Sequence, residues 1–357
     1  MTKQRKVAIV CNYTLHPNRI GGMDRFWVAY DTKAKDLGYE VDWYFANYQP
    51  FDFFSGLSIL SANNQNVEQF FLDKVTNDKR EYDILVTHFV ALCTSFFKSA
   101  KAIGIQKTIA VDHNPRPLEG FPISKIIKNK IKGVLYSRYI DQFVGVSEYT
   151  RKHILKDYGS FLAKKTSVIY NGIDTSVFVK RTLENKNKFV VCSHLRESKG
   201  IQDLIRAISI LDVTIKDQIQ IDVYGEGPYE KELLKITKMH NLEGIIHFKG
   251  GSSHLNELLS NYSYLLQPTY MECFSLSILE SLSANVPIIT TTVGGNLEII
   301  EHGKNGFIFE PKDFSALAAI LKNIVLGKLK INKDVSLLIE KDFNLEKMVD
   351  QHLQLLN

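Results

Sequence analysis

Ser263 to Thr291 reads SYLLQPTYMECFSLSILESLSANVPIITT, and its punctuation is decisive. An apolar run closes at Pro268, a polar loop follows, and a helical pattern opens near Ser275. A second β-branched run, Val286–Thr291, then begins at a Val-Pro pair. Strand, loop, helix and strand within thirty residues are the grammar of a βα unit in a parallel sheet. The same alternation extends outward in both directions. In the first half the predicted strands are Lys6–Tyr13, Tyr39–Phe45, Tyr82–Phe89, Gln106–Asp112, Ile140–Val146 and Thr166–Tyr170. In the second they are Phe189–His194, Gln218–Tyr224, Ile245–Lys249, Ser263–Pro268, Val286–Thr291 and Gly306–Phe309. The expected architecture is α/β, with two Rossmann-like parallel sheets of about six strands each.

The stretch Ile173–Lys188 is polar and lacks periodicity, so it is the expected linker. The expected domains are residues 1–175 and 176–342, and an amphipathic helix over Asp342–Leu355 closes the sequence. Open α/β sheets bind ligands beyond the carboxyl ends of their strands, so two such sheets are expected to face each other across a central cleft. Chemistry should therefore sit at strand-to-helix junctions.

Composition removes several function classes. Of 357 residues, 45% are hydrophobic and 23% charged, ordinary globular usage, and the formal net charge is +5. No nucleic-acid partner is expected from so modest a charge. The four cysteines are widely spaced with no CxxC, which argues against a disulfide framework or a zinc cluster. The apolar run behind the basic start, Val7 to Cys11, is shorter than a signal h-region, so a cytoplasmic location is expected, at most on the inner face of the membrane.

At the first junction, Gly21-Gly22 before a helix allows a phosphate to approach backbone N–H groups, although a plain turn has the same composition. After Gln106–Asp112, His113 either points into the crevice as a hydrogen-bond donor or general acid/base, or merely satisfies loop backbone. Arg196 and Lys199 lie in one loop after strand Phe189–His194, a fork and a point charge suited to a diphosphate. In the opening stretch, Glu272 precedes the helix and can bond a sugar hydroxyl. The N–H groups of Phe274, Ser275 and Leu276 can meet phosphate at the helix N-terminus, and Glu280, deeper in the helix, can accept from ribose hydroxyls. Gly225-Glu-Gly-Pro lacks the third glycine of a dinucleotide fingerprint. No Asp-x-Asp pair is present, so no metal and no cofactor are expected, and protein cations must meet any phosphate charge.

Residues 122–139 form a basic helical pattern with Ile123, Ile126, Ile127, Ile131, Val134 and Leu135 on one stripe among Lys125, Lys128, Lys130, Lys132 and Arg138. The stripe either packs on the sheet and leaves the lysines solvated, or the helix lies on an anionic membrane or holds an acidic acceptor.

In order, Gly-Gly-Met-Asp at 21–24, Val144-Gly-Val-Ser-Glu-Tyr-Thr, Tyr170-Asn-Gly-Ile-Asp, Leu195 to Gly200, Gly225-Glu-Gly-Pro, and Glu272 through Thr292 with Gly294-Gly295 resemble the retaining glycosyltransferases of family 4. The resemblance implies a GT-B fold whose second domain holds a nucleotide sugar, with a UDP-sugar the expected donor. The first domain would hold a saccharide or lipid-linked acceptor, and the C-terminal helix, 343–357, would return to it. It implies that Glu272 lies near the sugar, Glu280 at the ribose, Lys199 on phosphate, Gly21 and Gly22 in a phosphate loop, and His113 in the crevice. The chain departs from the family in having His194 where arginine is frequent, and Cys273 where glycine is. Two other readings stay open: a sugar-nucleotide epimerase, which shares the architecture, and a catalytically silent binding partner of another transferase.

Overall fold

The computed structural model describes residues 5–17, 20–182 and 187–357. Asn18 and Arg19 of the expected phosphate loop, and 183–186 of the expected linker, lie outside the described residues. The chain divides into two units. One runs to Gly172, omits Arg116–Leu118, and regains Leu345–Asn357; the other is Ile173–Asn344 together with Arg116–Leu118.

The first unit is built on β1 (Lys6–Leu15), β2 (Glu40–Tyr48), β3 (Ser58–Ser61), β4 (Ile84–His88), β5 (Lys107–Asp112), β6 (Gln142–Gly145) and β7 (Thr166–Val168). Their order is β3-β2-β1-β4-β5-β6-β7, and every pairing is parallel. The sheet therefore has seven strands where about six are expected. The addition is β3, a four-residue edge strand with two serines and no fully buried residue, which carries too little apolar pattern to read from sequence. The helices are α1 (Gly22–Asp36), α2 (Val67–Asn77), α3 (Ser95–Ala102), α4 (Ile123–Tyr136) and α5 (Glu148–Tyr158).

The second unit contains β8 (Lys188–Cys192), β9 (Gln220–Tyr224), β10 (Ile246–Gly250), β11 (Tyr264–Gln267), β12 (Ile288–Thr291) and β13 (Gly306–Phe309), ordered β10-β9-β8-β11-β12-β13 and again parallel. Its helices are α6 (Ile201–Ser209), α7 (Val213–Lys216), α8 (Glu230–Met239), α9 (Leu255–Leu258), α10 (Leu276–Ser283), α11 (Phe314–Val325) and α12 (Leu337–Asp342). Buried Val, Ile and Leu line both faces of the central strands, as a sheet covered by helices on each side requires.

Two expectations need correction. The described part of Ile173–Lys188 is fastened to the second unit: Ile173 donates its N–H to the Phe343 carbonyl (3.0 Å), Val179 to Asn256 (3.0 Å), and Lys180 pairs with Glu340 (2.5 Å). The amphipathic pattern at the end is not one helix from Asp342. Helix α12 stops at Asp342, Asn344 forms a parallel bridge with Ile173, and α13 (Leu345–Gln354) begins afresh. Helix α13 packs on α1, burying Met348, Val349, His352 and Leu353, with Lys33 and Asp350 paired alongside.

Helix α4 also differs from the sheet-packed alternative. Its inward residues are Asn129 and Gly133, and Ile123, Ile127, Ile131, Val134 and Leu135 are exposed. The reason lies at Gly133: a Cβ there would sit 2.0 Å from the Tyr158 carbonyl oxygen, so only glycine permits this approach to α5.

Candidate active site

In the second sheet the strand order reverses between β8 and β11, which makes the loops after these two strands the place where a doubly wound sheet opens a ligand crevice. The β8 loop runs through Arg196 into a 3-10 turn, Glu197–Lys199, then Gly200 and α6. The β11 loop carries Thr269 to Phe274 into α10. Because β8 and β11 are hydrogen-bonded neighbours, Lys199 and Glu272 meet although 73 residues separate them: Nζ lies 3.0 Å from Oε2. Both side chains are largely shielded, with 22% and 14% exposure.

The two loops are stitched together by backbone. Tyr270 donates its N–H to the Ser198 carbonyl (2.8 Å), and the Thr269 hydroxyl donates to the same oxygen (3.2 Å). Gly200 has φ +69°, and a Cβ there would fall 1.8 Å from the Pro268 oxygen, so the position needs glycine for conformation and for space. Buried Asp203 on α6 accepts the Tyr270 hydroxyl, which also receives Gln202 Nε2 at 3.1 Å. From the other side, Thr291 Oγ1 donates to the Thr269 carbonyl (2.7 Å) and the Gly295 N–H to Cys273 (3.0 Å). Glu272 therefore sits in a loop held from β8, α6 and β12.

Helix α10 begins at Leu276 with Ser275 as its N-cap, whose hydroxyl accepts from the Ile278 N–H and from Gln267 Nε2 (2.5 Å). Glu272 thus lies ahead of the helix and Glu280 within its second turn. The first-turn amides, Leu276 among them, have no acceptor inside the helix and carry its positive dipole end. Phe274 is different in kind: its ring is buried against Phe343, 5.5 Å between centroids. Glu280 is half-buried, and its charge joins burial in pushing the Cys192 thiol at the end of β8 upward. Arg196 is exposed at the mouth of the same loop.

The first unit gathers a second cluster at the carboxyl end of its sheet. Strand β4 ends on His88, Phe89 follows, and His113 follows β5. His88 Nδ1 and His113 Nε2 share a hydrogen bond of 2.9 Å in a buried setting. Phe89 adopts φ +58°, rare for a bulky side chain, and its ring lies between Tyr13 (5.5 Å) and His113 (4.2 Å). His352 of α13 approaches His88 to 5.7 Å between rings, and its buried Nε2 has no hydrogen-bond partner among the described residues. Burial depresses all three imidazoles, His113 and His352 to about 3 and His88 well below its ordinary value, with the neighbouring histidines adding to the shift at His88 and His352. These rings are neutral near pH 7, so His113 acts there as a hydrogen-bonding imidazole. Sequence reading missed His88 and His352; the signal for His88 was its place at the end of the strand beside the topological switch.

Gly21 is the N-cap of α1 and Gly22 its first residue. Gly21 has φ −107°, open to any residue, and its N–H donates to the Asp24 carboxylate at 2.8 Å. An acidic group of the protein itself therefore occupies part of the helix end that the sequence assigns to phosphate. Among the described residues, no group of three or more His, Cys, Asp or Glu side chains is arranged to hold a metal ion.

Comparison with known proteins bears on the family and the fold. Residues 20–177 match the family model described as Glycosyltransferase Family 4, and residues 173–340 the model described as Glycosyl transferases group 1. The N-acetyl-alpha-D-glucosaminyl L-malate synthase of Bacillus anthracis is 27% identical over 203 residues, 53% of this chain and 52% of that protein. The glycogen synthase of Mycobacterium tuberculosis is 26% identical over 251 residues, 68% of this chain and 59% of that protein. The match thus spans between half and three fifths of these relatives. In fold, the chain is similar to HepE of Anabaena, solved with UDP and glucose, with TM-score 0.78, 18% identity and 99% of each chain covered. Two adjoining family models over nearly all of the sequence, on two Rossmann-like parallel sheets, make this chain a GT-B glycosyltransferase that belongs to family 4.

Proposed function

We propose that this glycosyltransferase moves a hexose from a UDP-sugar to a saccharide or lipid-linked acceptor in glycan or cell-surface polysaccharide synthesis, with retention at the anomeric carbon and without a divalent ion. The observation that carries the reading is the pairing of Lys199 with Glu272 at the switch point of the second sheet. A diphosphate placed there meets the Lys199 ammonium, the Arg196 guanidinium and the first-turn amides of α10, while Glu272 faces the sugar hydroxyls and Glu280 the ribose. The UDP-containing complex of the structurally similar Anabaena protein supports the choice of donor.

In the reaction the bond between the anomeric carbon and the diphosphate oxygen breaks, and the acceptor oxygen bonds to that carbon on the same face. The acceptor proton passes to the departing diphosphate oxygen. Negative charge grows on that oxygen as the bond lengthens, and fixed cations and amides stabilise it without reorganisation. The first unit takes the acceptor, with His113 as a neutral imidazole bonding to a hydroxyl.

The test is twofold. Thermal unfolding in the presence of UDP-, GDP- and ADP-sugars identifies the donor, since a ligand at 100 times its Kd adds about 2.7 kcal/mol. With that donor, Lys199→Ala should lower turnover about a hundredfold while leaving the unfolding temperature nearly unchanged. Near-normal turnover removes Lys199 from the mechanism, and sugar trapped covalently on Glu272 replaces single-face transfer by double displacement.

A further inference from the structure

Helix α4 turns the wrong side of itself to water for a helix whose only task is to cover a sheet. Ile123 is 76% exposed and Val134 68%, with Ile127, Ile131 and Leu135 each half-exposed or more. At about 100° per residue, Ile123, Ile127, Ile131 and Val134 fall within a sector of about 80°. Lys130 borders that sector on one side and Lys128, just beyond exposed Leu135, on the other, while Lys125 and Lys132 lie toward the far side of the helix. The buried Asn129 and Gly133 lie roughly opposite.

The charge around the stripe has one sign. No acidic residue occurs between Glu119 and Asp141, and Asp141 is already held by Lys101 at 2.6 Å. Glu68 of α2 lies within electrostatic reach of Lys132. Lysine is depleted at protein–protein contacts, whereas isoleucines flanked by lysines are the composition of a helix lying in the interface of an anionic bilayer. No helix among the described residues is long and apolar enough to cross a membrane, so this one would lie along the surface.

We infer that α4 docks the protein on an anionic lipid surface, with Ile123, Ile127, Ile131 and Val134 inserted among the acyl chains and Lys128 and Lys130 on the headgroups. The inference stands apart from the identity of the donor and acceptor. Vesicle flotation of the full chain tests it, with phosphatidylcholine vesicles that contain or lack phosphatidylglycerol. The chain should float with the anionic vesicles and remain behind with the neutral ones. The double variant K128Q/K130Q should lose binding about twenty-five-fold, near fivefold for each lysine. The variant I127S/I131S should lose about tenfold or more. All four positions are exposed, and an unchanged unfolding temperature separates lost docking from lost folding. Absence of flotation with anionic vesicles, or flotation unaffected by both variants, overturns the inference. So does a dimer that I127S/I131S converts to monomer while vesicles are ignored, because the stripe then belongs to a second copy of the chain.

Discussion

Lys199 Nζ and Glu272 Oε2, 3.0 Å apart, join the loops of the two strands between which the second sheet reverses its order. The cation assigned to phosphate is therefore already engaged by the acid assigned to the sugar, and a bound diphosphate competes with Glu272 for it. Removing the carboxylate charge should then have opposite effects on binding and on reaction. Glu272→Gln is expected to bind UDP about fivefold more tightly, because an anion beside the phosphate is gone, and to turn over about a hundredfold more slowly. Calorimetric titration with UDP and a turnover assay with the identified donor check both parts. Weaker UDP binding by the variant would show that Glu272 supports the nucleotide rather than competing with it.

Gly200 tests the geometry that brings this pair together. Its φ of +69°, and the 1.8 Å at which a Cβ would meet the Pro268 oxygen, leave no room for alanine. Gly200→Ala should cost at least about 2 kcal/mol, from left-handed strain plus the displacement of the β11 loop, and should weaken UDP binding with it. Chemical unfolding and UDP titration of the variant measure the two effects, and full stability would mean the loops part without cost.

Tyr270 is the strut on the other side of the Glu272 loop. Its hydroxyl donates to buried Asp203 and accepts from Gln202 Nε2, and burial followed by the Asp203 carboxylate pushes its phenol well above the ordinary range. Tyr270→Phe leaves a buried carboxylate oxygen short of a donor, at a cost of about 1–3 kcal/mol. The measurement is the urea midpoint of the variant; an unchanged midpoint would show that Asp203 finds another donor.

Much of this arrangement can be read from the chain, and the exceptions share a cause. β-Branched runs place twelve of the strands, and strand ends alone put the Lys199 loop beside the Glu272 loop. What periodicity cannot supply is which way a face points. The isoleucines of α4 form a clear stripe in sequence, yet Gly133 decides its direction, because the Tyr158 carbonyl closes on that one position. Likewise, nothing local links His88, His113 and His352. They meet because β4 and β5 are neighbours and because α13 packs on α1, and both facts are tertiary.

That histidine cluster yields a pH dependence whose sign is fixed. His113 and His352 are depressed to about 3 and His88 is also lowered, chiefly by burial, whereas an unfolded histidine titrates near 6.5. Between these values the unfolded state binds more protons, so stability is full above about pH 6.5 and is lost as pH falls below it, by about 1.4 kcal/mol per histidine for each pH unit. Asp141, whose carboxyl is held below its ordinary value of 3.8 by Lys101 and Thr108 against burial, loses its contribution only at lower pH, and Glu68, whose carboxyl burial raises, contributes in the opposite sense, so the imidazoles set the sign between about pH 7.5 and about pH 5.5. The chain has two tryptophans, Trp27 and Trp43, both buried in the first unit, and Trp27 lies 4.8 Å from the His88 ring. Their fluorescence during urea unfolding therefore reports this unit alone. The wild-type protein should lose about 4 kcal/mol across the window, and His352→Phe, which removes one of the three imidazoles, should lose about a third less. Equal urea midpoints at the two pH values for the wild-type chain would mean that water reaches the cluster and the rings titrate normally in the folded state.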